Sequence, residues 1–220
     1  MKAIHRGKAK HDQIDSQKIA AVLRGGMLPQ ADVDPPERRA TRDRLRRRTH
    51  LRRKRAELLA PVQTTNSPSN LPDLGKKIAY KANREGVAER LEEEAVQKTI
   101  EVDLALITYD DEPLKDLELY SLKTAKQHEA NTWYRLPTLP GIGKILSLVL
   151  RYEIHDIRRF PSVQDFASYS RWVKCSQESG GKRLGTSGKK IGNAHLKWAV
   201  SEAAVLFLRH NEPGQKYLAR

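Results

Sequence analysis

Apolar residues recur along this chain mainly at helical spacing, in blocks of different character. Ile14, Ala21 and Val22, with Lys18 between them, predict a short helix from about Gln13 to Arg24, stopped by Gly25-Gly26. Asp34-Pro35-Pro36-Glu37 then reads as a helix start: Asp34 can cap, Pro35 can take the first helical position, and Glu37 can close a capping box. That helix continues through Leu58 and Leu59 towards Gln63, and the Asn-, Ser- and Pro-rich stretch from Thr64 to Pro72 ends it. Residues 84–130 read as one long helix of mixed charge, with Val87, Leu91, Val102, Leu106, Tyr109, Leu117 and Tyr120 as an imperfect apolar stripe. Long charged helices with one apolar seam commonly pair as an antiparallel hairpin or coiled coil. Pro113 lies inside this one, so a bend or break is expected near Asp111–Pro113.

Residues 131–220 have the pattern of a compact end. A turn at Pro140–Gly143 leads into an apolar helix carrying Ile145, Leu148, Val149 and Tyr152; a short helix at Ser162–Tyr169 follows, then a glycine-rich loop over 176–192. A last helix from Asn193 to about His210 places Leu196, Val200, Ala203 and Phe207 on one face. No strand and no repeat of fixed period is evident. The expected fold is mainly α, in three parts: 1–33, a basic helix and coiled-coil arm over 34–130, and a compact helical domain over 131–220.

Charge changes the picture most. The chain carries 41 Lys and Arg against 27 Asp and Glu, a formal charge of +14, which favours a polyanionic partner. From Arg38 to Arg55 there are eleven Lys/Arg and one acid, Asp43. So few neighbouring acids point to nucleic-acid contact, with Arg46, Arg47, Arg52 and Arg53 as candidate contacts. Membrane-surface binding is the weaker reading, because the helix lacks an aromatic-rich apolar face. No apolar run is long enough to span a bilayer, and Met1–Gln13 has no signal-peptide core. The single cysteine, Cys175, forms no internal disulfide and fits a reducing compartment, so a cytoplasmic, nucleoid-associated location is expected.

Three glycine-bearing segments offer backbone N–H groups beside lysines. Leu136–Lys144, with Pro140-Gly141-Ile142-Gly143-Lys144, looks like a helix-hairpin-helix: glycines admit a phosphate close to the backbone, and the following helix N-terminus presents free N–H groups. Its bland alternative is an ordinary turn between packed helices. Glu178-Ser179-Gly180-Gly181-Lys182-Arg183 sets a serine beside cations that could stabilise charge developing on phosphorus. Ser176, Thr186 and Ser187 are chemically equal competitors, and a plain loop serine is the simpler reading. Gly188-Lys189-Lys190-Ile191-Gly192-Asn193 precedes the last helix. Asp12 and Asp15 share one helix face and could share a magnesium ion, although acids near a helix N-terminus are ordinary. The seven histidines, including His195 and His210, show no ligand spacing.

Lys8–Ser16, Leu136–Lys144, Glu178–Arg183 and Gly188–Leu196 occur in the order that resembles DEDD-type insertion-sequence transposases. These are relatives of the pilin-gene invertase, and some are guided by a bridge RNA. The resemblance implies a RuvC-like domain with four metal-binding acids, a coiled-coil insert, and a C-terminal transposase domain with a serine nucleophile. Lys10, Asp12 and Asp15 fit its KxDxxD signature, which would make Asp12 and Asp15 two Mg2+ ligands, residues 1–33 a remnant of the RuvC-like domain, and Ser179 the nucleophile. Gly141, Gly143, Lys144, Lys182, Arg183, Lys189 and Lys190 become candidate DNA contacts. The resemblance also implies recombination through a phosphoserine link to DNA, a homo-oligomer and a guide RNA. In the family the first aspartate and the glutamate precede this signature, whereas eleven residues precede Asp12 here, so a truncated, catalytically incomplete product is the expectation. The alternative is a non-catalytic helix-hairpin-helix protein that binds DNA or RNA.

Overall fold

The computed structural model describes residues 12–27, 35–65, 72, 75, 77–128, 135–173, 175–179, 182–187, 192–209 and 211–219. The chain divides into two compact units, Met1–Pro35 and Pro36–Arg220. In the first, α1 (Asp12–Arg24) has Asp12 and Asp15 in its first turn and Arg24 in its last, the charge order the helix dipole favours. Gly26, at φ 63°, stops it, and the Met27 N–H reaches back to the Val22 carbonyl. No α1 side chain is buried.

The second unit is built on an antiparallel pair, α2 (Pro36–Thr64) and α3 (Glu94–His128). α2 begins at Pro36, one residue later than the sequence suggests; Asp34 lies outside the described residues. α3 begins at Glu94, not near residue 84. The chain before it instead makes two 310 turns, Lys81–Asn83 and Ala88–Arg90. Arg84 organises this stretch: it is buried, and its guanidinium donates to the carbonyls of Ile78 and Ala79 and to Thr108 Oγ1. Those bonds, with Gly86 at φ 72°, hold the chain in turns rather than in a helix.

Burial on α3 recurs at Ile100, Leu104, Ile107, Asp111, Leu114, Glu118, Ser121 and Ala125, in alternating steps of four and three. That is a heptad-type seam. Of the expected stripe, Val87 and Leu91 are buried, though in the turns before α3; Val102, Leu106, Tyr109 and Tyr120 are exposed, and Leu117 is half-buried. α2 answers with Thr41, Leu45, Arg48, Arg55, Leu59 and Val62. Two carboxylates and two arginines thus occupy the middle of the seam, and they pair across it. Arg48 Nε donates to Glu118 Oε1 at 2.8 Å, and Arg55 Nε donates to Asp111 Oδ1 at 2.8 Å. Arg84 Nη2 lies 2.7 Å from the other Asp111 oxygen.

α3 also runs unbroken through Pro113, where a bend or break was expected. Pro113 is exposed, so water can satisfy the Tyr109 carbonyl that its missing N–H leaves free, while Asp111 and Leu114 are held against α2 on either side.

Apolar packing gathers at the two ends of this hairpin. At one end Val62, Ile78, Val87, Ala88, Leu91 and Ile100 form a cluster. At the other, Leu45 and Ala125 join the C-terminal helices α4 (Lys144–Ile154) and α6 (Ala194–Leu208) through Leu146, Val149, Leu196 and Ala199. A short α5 (Val163–Tyr169) is capped by Ser162, which accepts from the Asp165 N–H, and α7 (Glu212–Leu218) closes the described chain. The stretch read as a glycine-rich loop contains two antiparallel strands, β1 (Cys175–Ser179) and β2 (Lys182–Ser187). The fold is mainly α with this one hairpin among the described residues. No helix among them is long and apolar enough to cross a membrane.

Candidate nucleic-acid interface

The β-hairpin is held at its root. Past α5 the chain turns at Arg171, which has φ 60°, and returns through Gly192 at φ 94°. There the Asn193 N–H donates to the Tyr169 carbonyl at 2.7 Å, and Arg171 Nε donates to the Gly192 carbonyl at 2.8 Å. Only glycine fits at position 192, because a Cβ there would meet the Tyr169 carbonyl oxygen at 2.5 Å. Out along the strands the register pairs Ser176 with Thr186, Glu178 with Arg183, and Ser179 with Lys182. Ser179 is therefore the last paired residue of β1, opposite a lysine, while Ser176, Thr186 and Ser187 sit nearer the root. A bulge between Gln177 and Glu178 breaks the alternation of faces just before it. Gly180-Gly181, the residues between the paired ends, and Lys189 and Lys190 lie outside the described residues.

The two glycines of Leu136–Lys144 have different surroundings. A 310 turn at Leu136–Thr138 enters the segment. Gly141, at φ 86°, packs on α6: a Cβ there would meet the Ala203 carbonyl oxygen at 2.5 Å and the Phe207 nitrogen at 2.6 Å. Gly143 is the N-cap of α4 with no side-chain cap, and a Cβ there would meet nothing within 4 Å. The α4 N-terminus, with exposed Lys144 in its first turn, is thus open to solvent, as an anion-facing helix end requires. These surroundings predict a split. Gly141→Ala should lower stability by roughly 3 kcal/mol through strain and overpacking. Gly143→Ala should change stability by less than about 1 kcal/mol, yet weaken duplex binding by placing a methyl where a phosphate would approach. Thermal melts and a binding titration on both variants check this, and equal stability losses would contradict it.

The basic helix α2 has partners that its neighbouring residues do not reveal. They lie far away in sequence, which corrects the reading of a nearly unpaired cationic face. Arg46 Nε and Nη2 each donate at 2.6 Å to the two oxygens of Glu153 on α4. Arg52 Nη2 lies 3.5 Å from Glu118. Arg53 sits over the Trp198 ring at 5.9 Å, Arg44 over Tyr120 at 4.1 Å and Arg38 over Tyr152 at 5.7 Å. Of the four candidate DNA contacts here, Arg46 is engaged inside the fold, while Arg47, Arg52 and Arg53 keep exposed side chains.

Glu153, a residue that the spacing rules passed over, is the centre of this region. Its side chain is 2% exposed, and besides Arg46 it accepts from Asn193 Nδ2 at 2.7 Å. Asn193 Oδ1 in turn accepts from the N–H groups of His195 and Leu196, capping α6. One buried carboxylate thereby ties the basic helix, the helix after the glycine turn and the helix after the β-hairpin. Burial pushes its pKa up, but the hydrogen bonds from Arg46 and Asn193 outweigh this and hold it below the usual range. Burial pushes the His195 imidazole down, partly offset by the Glu153 charge. The only advance signal of this knot was an Asn directly before an apolar helix, a common N-cap.

Asp12 and Asp15 lie in the other unit, Asp12 exposed and Asp15 half-buried. Their oxygens suit a hard cation in kind, but two carboxylates do not fill its shell. No group of three or more potential ligand residues occurs among the described residues.

No curated protein matches the chain. Residues 134–219, which span the Gly141–Lys144 turn, the β-hairpin and α4 to α7, match the family model described as Transposase IS116/IS110/IS902 family, and this supports an insertion-sequence transposase.

Proposed function

We propose that this chain is the DNA-engaging part of an insertion-sequence transposase, with Ser179 as its nucleophile. The family match over 134–219 carries this reading. The register that pairs Ser179 with Lys182 supports it, since it sets a lysine position directly across from the candidate nucleophile. In the reaction proposed, Ser179 Oγ attacks a backbone phosphorus. The P–O bond to one deoxyribose oxygen breaks, that oxygen leaves with a proton, and the phosphate is held as a serine ester that a second DNA hydroxyl later displaces. Lys182 and Arg183 stabilise the charge on the phosphoryl oxygens. Gly143, Lys144, Lys189, Lys190 and the exposed arginines of α2 grip the DNA backbone without reading bases. Mg2+ at Asp12 and Asp15, completed by further oxygen ligands, would polarise phosphate oxygens when bound. Self-association and a guide RNA belong to the same proposal, and the exposed Val102, Leu106 and Tyr109 on α3 support the former.

Two measurements test this reading. Neutralising six phosphates gives a slope of about −5 in log affinity against log salt on duplex DNA. Element-end DNA incubated with Mg2+ and guide RNA should yield a covalent protein–DNA adduct that disappears in Ser179→Ala. An adduct that persists in that variant removes Ser179 as nucleophile. Salt-dependent binding with no adduct in the wild type favours the non-catalytic helix-hairpin-helix alternative.

A further inference from the structure

β1 and β2 form a two-stranded sheet, with no third strand beside it among the described residues. A lone two-stranded hairpin is marginally stable, so its direction depends on what grips its ends. Both ends meet at one place. The chain leaves α5 after Tyr169 and comes back at Gly192-Asn193, where the Asn193 N–H donates to the Tyr169 carbonyl at 2.7 Å. The Gly192 carbonyl takes Arg171 Nε at 2.8 Å across the same gap.

Asn193 does more at this junction than close a backbone bond. It is 9% exposed, and each of its polar groups is engaged. Its carbonyl accepts from the Lys197 N–H at 3.1 Å, the first turn of α6. Oδ1 accepts from the N–H groups of His195 and Leu196, both at 3.0 Å. Nδ2 donates to Glu153 Oε2 at 2.7 Å and lies 3.5 Å from the Tyr169 hydroxyl. The amide cannot be turned over, because its NH2 would then face two N–H donors and its oxygen a carboxylate. The side chain must accept on one side and donate on the other, on one short stem. Aspartate and serine cap helices as well as asparagine does. Aspartate, however, has no donor at neutral pH, and a serine hydroxyl ends one bond short of Nδ2. Capping alone thus does not call for an amide, whereas the bond to Glu153 does. Glu153 is itself fixed by Arg46 Nε and Nη2, at 2.6 Å each. Asn193 thereby joins the returning end of the hairpin to α4 and, through Glu153, to α2.

We propose that Asn193 is a positioning residue for the nucleophile: by bridging the Tyr169 carbonyl at the hairpin root and Glu153 in the body, it fixes the direction in which β1 presents Ser179. The inference rests on the reading of Ser179 as nucleophile. Attack on phosphorus tolerates little displacement, since a misplacement of about 1 Å can cost roughly 100-fold in rate.

The test uses the full chain, 15N-labelled for relaxation and unlabelled with element-end DNA, Mg2+ and guide RNA. In the wild type the backbone order parameters of β1 and β2 should match those of α6, near about 0.85; in Asn193→Ser those of the hairpin should fall below about 0.6, with α4 and α6 unchanged. That variant should bind duplex within about twofold of the wild type yet form the covalent adduct at least about tenfold more slowly. Asn193→Asp keeps the cap but sets a carboxylate against Glu153, and should loosen the hairpin at least as much. Adding Glu153→Gln restores an amide facing a carboxylate, with the roles exchanged. The double variant should therefore recover hairpin order and bring the adduct rate to within about threefold of the wild type, a non-additive rescue. A role in capping alone predicts an ordered hairpin in both single variants and no rescue in the double one. Wild-type hairpin order in both single variants overturns the proposal, and so does a double variant no better than Asn193→Asp. A wild type that forms no adduct overturns the Ser179 reading instead, and the order parameters still decide whether Asn193 sets the direction of the hairpin.

Discussion

Glu153→Ala should melt about 6–20 °C below the wild-type chain at neutral pH. The substitution leaves Arg46 without its bidentate partner and Asn193 Nδ2 without its acceptor, at a site where the carboxylate side chain is 2% exposed. Removing one member of a buried, hydrogen-bonded pair costs about 3–5 kcal/mol, because the remaining charge is desolvated and uncompensated. For a chain of this size each kcal/mol shifts the midpoint by about 2–4 °C. Glu153→Gln should fall between: it keeps an acceptor oxygen but turns an amide N–H towards Arg46 or Asn193. The pH dependence has a definite sign. The folded-state pKa of Glu153 is depressed, so its contribution is present above the ordinary glutamate pKa and is lost as pH falls through the lower folded value. Circular-dichroism melts across an acid series should therefore show the gap between wild type and Glu153→Ala narrowing below about pH 4. A gap that is constant down to the lowest pH would contradict a charge-based role.

Asp111→Ala is the second large effect, expected to cost roughly 3 kcal/mol by the same reasoning. Asp111 is 29% exposed, but the guanidinium groups it serves, on Arg55 and Arg84, are 8% and 6% exposed. Burial pushes the Asp111 pKa up, the hydrogen bonds and charges of Arg84 and Arg55 pull it down, and the net shift is down. This stability too is present above the ordinary aspartate pKa and lost as pH falls through the depressed one. Replacing all three residues by apolar side chains should not restore the loss, unlike the outcome for many isolated buried pairs. Arg55 and Arg84 also donate to the carbonyls of Ala79 and Ile78, and the buried Ile78 carbonyl would be left without a donor. Urea denaturation of the single and triple variants checks both statements; full recovery in the triple variant would show that the carbonyl contacts contribute little.

Local signals in the sequence carried far, and pairings distant in sequence did not. The stop at Gly25-Gly26, the start of α2 to within one residue, the short helix ending at Tyr169 and the apolar helix after Asn193 are all present. Each depends on chemistry within one helical turn. The seam of α3 was misread because Asp111 and Glu118 occupy its middle and look like solvent-facing positions until arginines from another helix are set against them. Arg46 and Glu153 are 107 residues apart, a separation no periodicity can bridge. The β-hairpin was missed because Cys175–Ser179 and Lys182–Ser187 are polar and poor in β-branched side chains. The Gly-Gly pair between polar runs was its one available cue. Within the candidate site, the sequence marked Gly141 and Gly143 alike, whereas the fold gives the first to packing and leaves the second open.

The gathering of apolar packing into two clusters, one at each end of the α2–α3 hairpin with charge pairs, Ile107 and Leu114 between them, has a consequence for how the molecule fails. Resistance to unfolding is not shared evenly along the hairpin. The end built on Val62, Ile78 and Ile100 is expected to come apart as a cooperative unit of its own while Leu45 and Ala125 stay packed with α4 and α6. Loss of packing at the Val62–Ile78–Ile100 end is then expected to stay there, and the body that carries the β-hairpin to keep its shape.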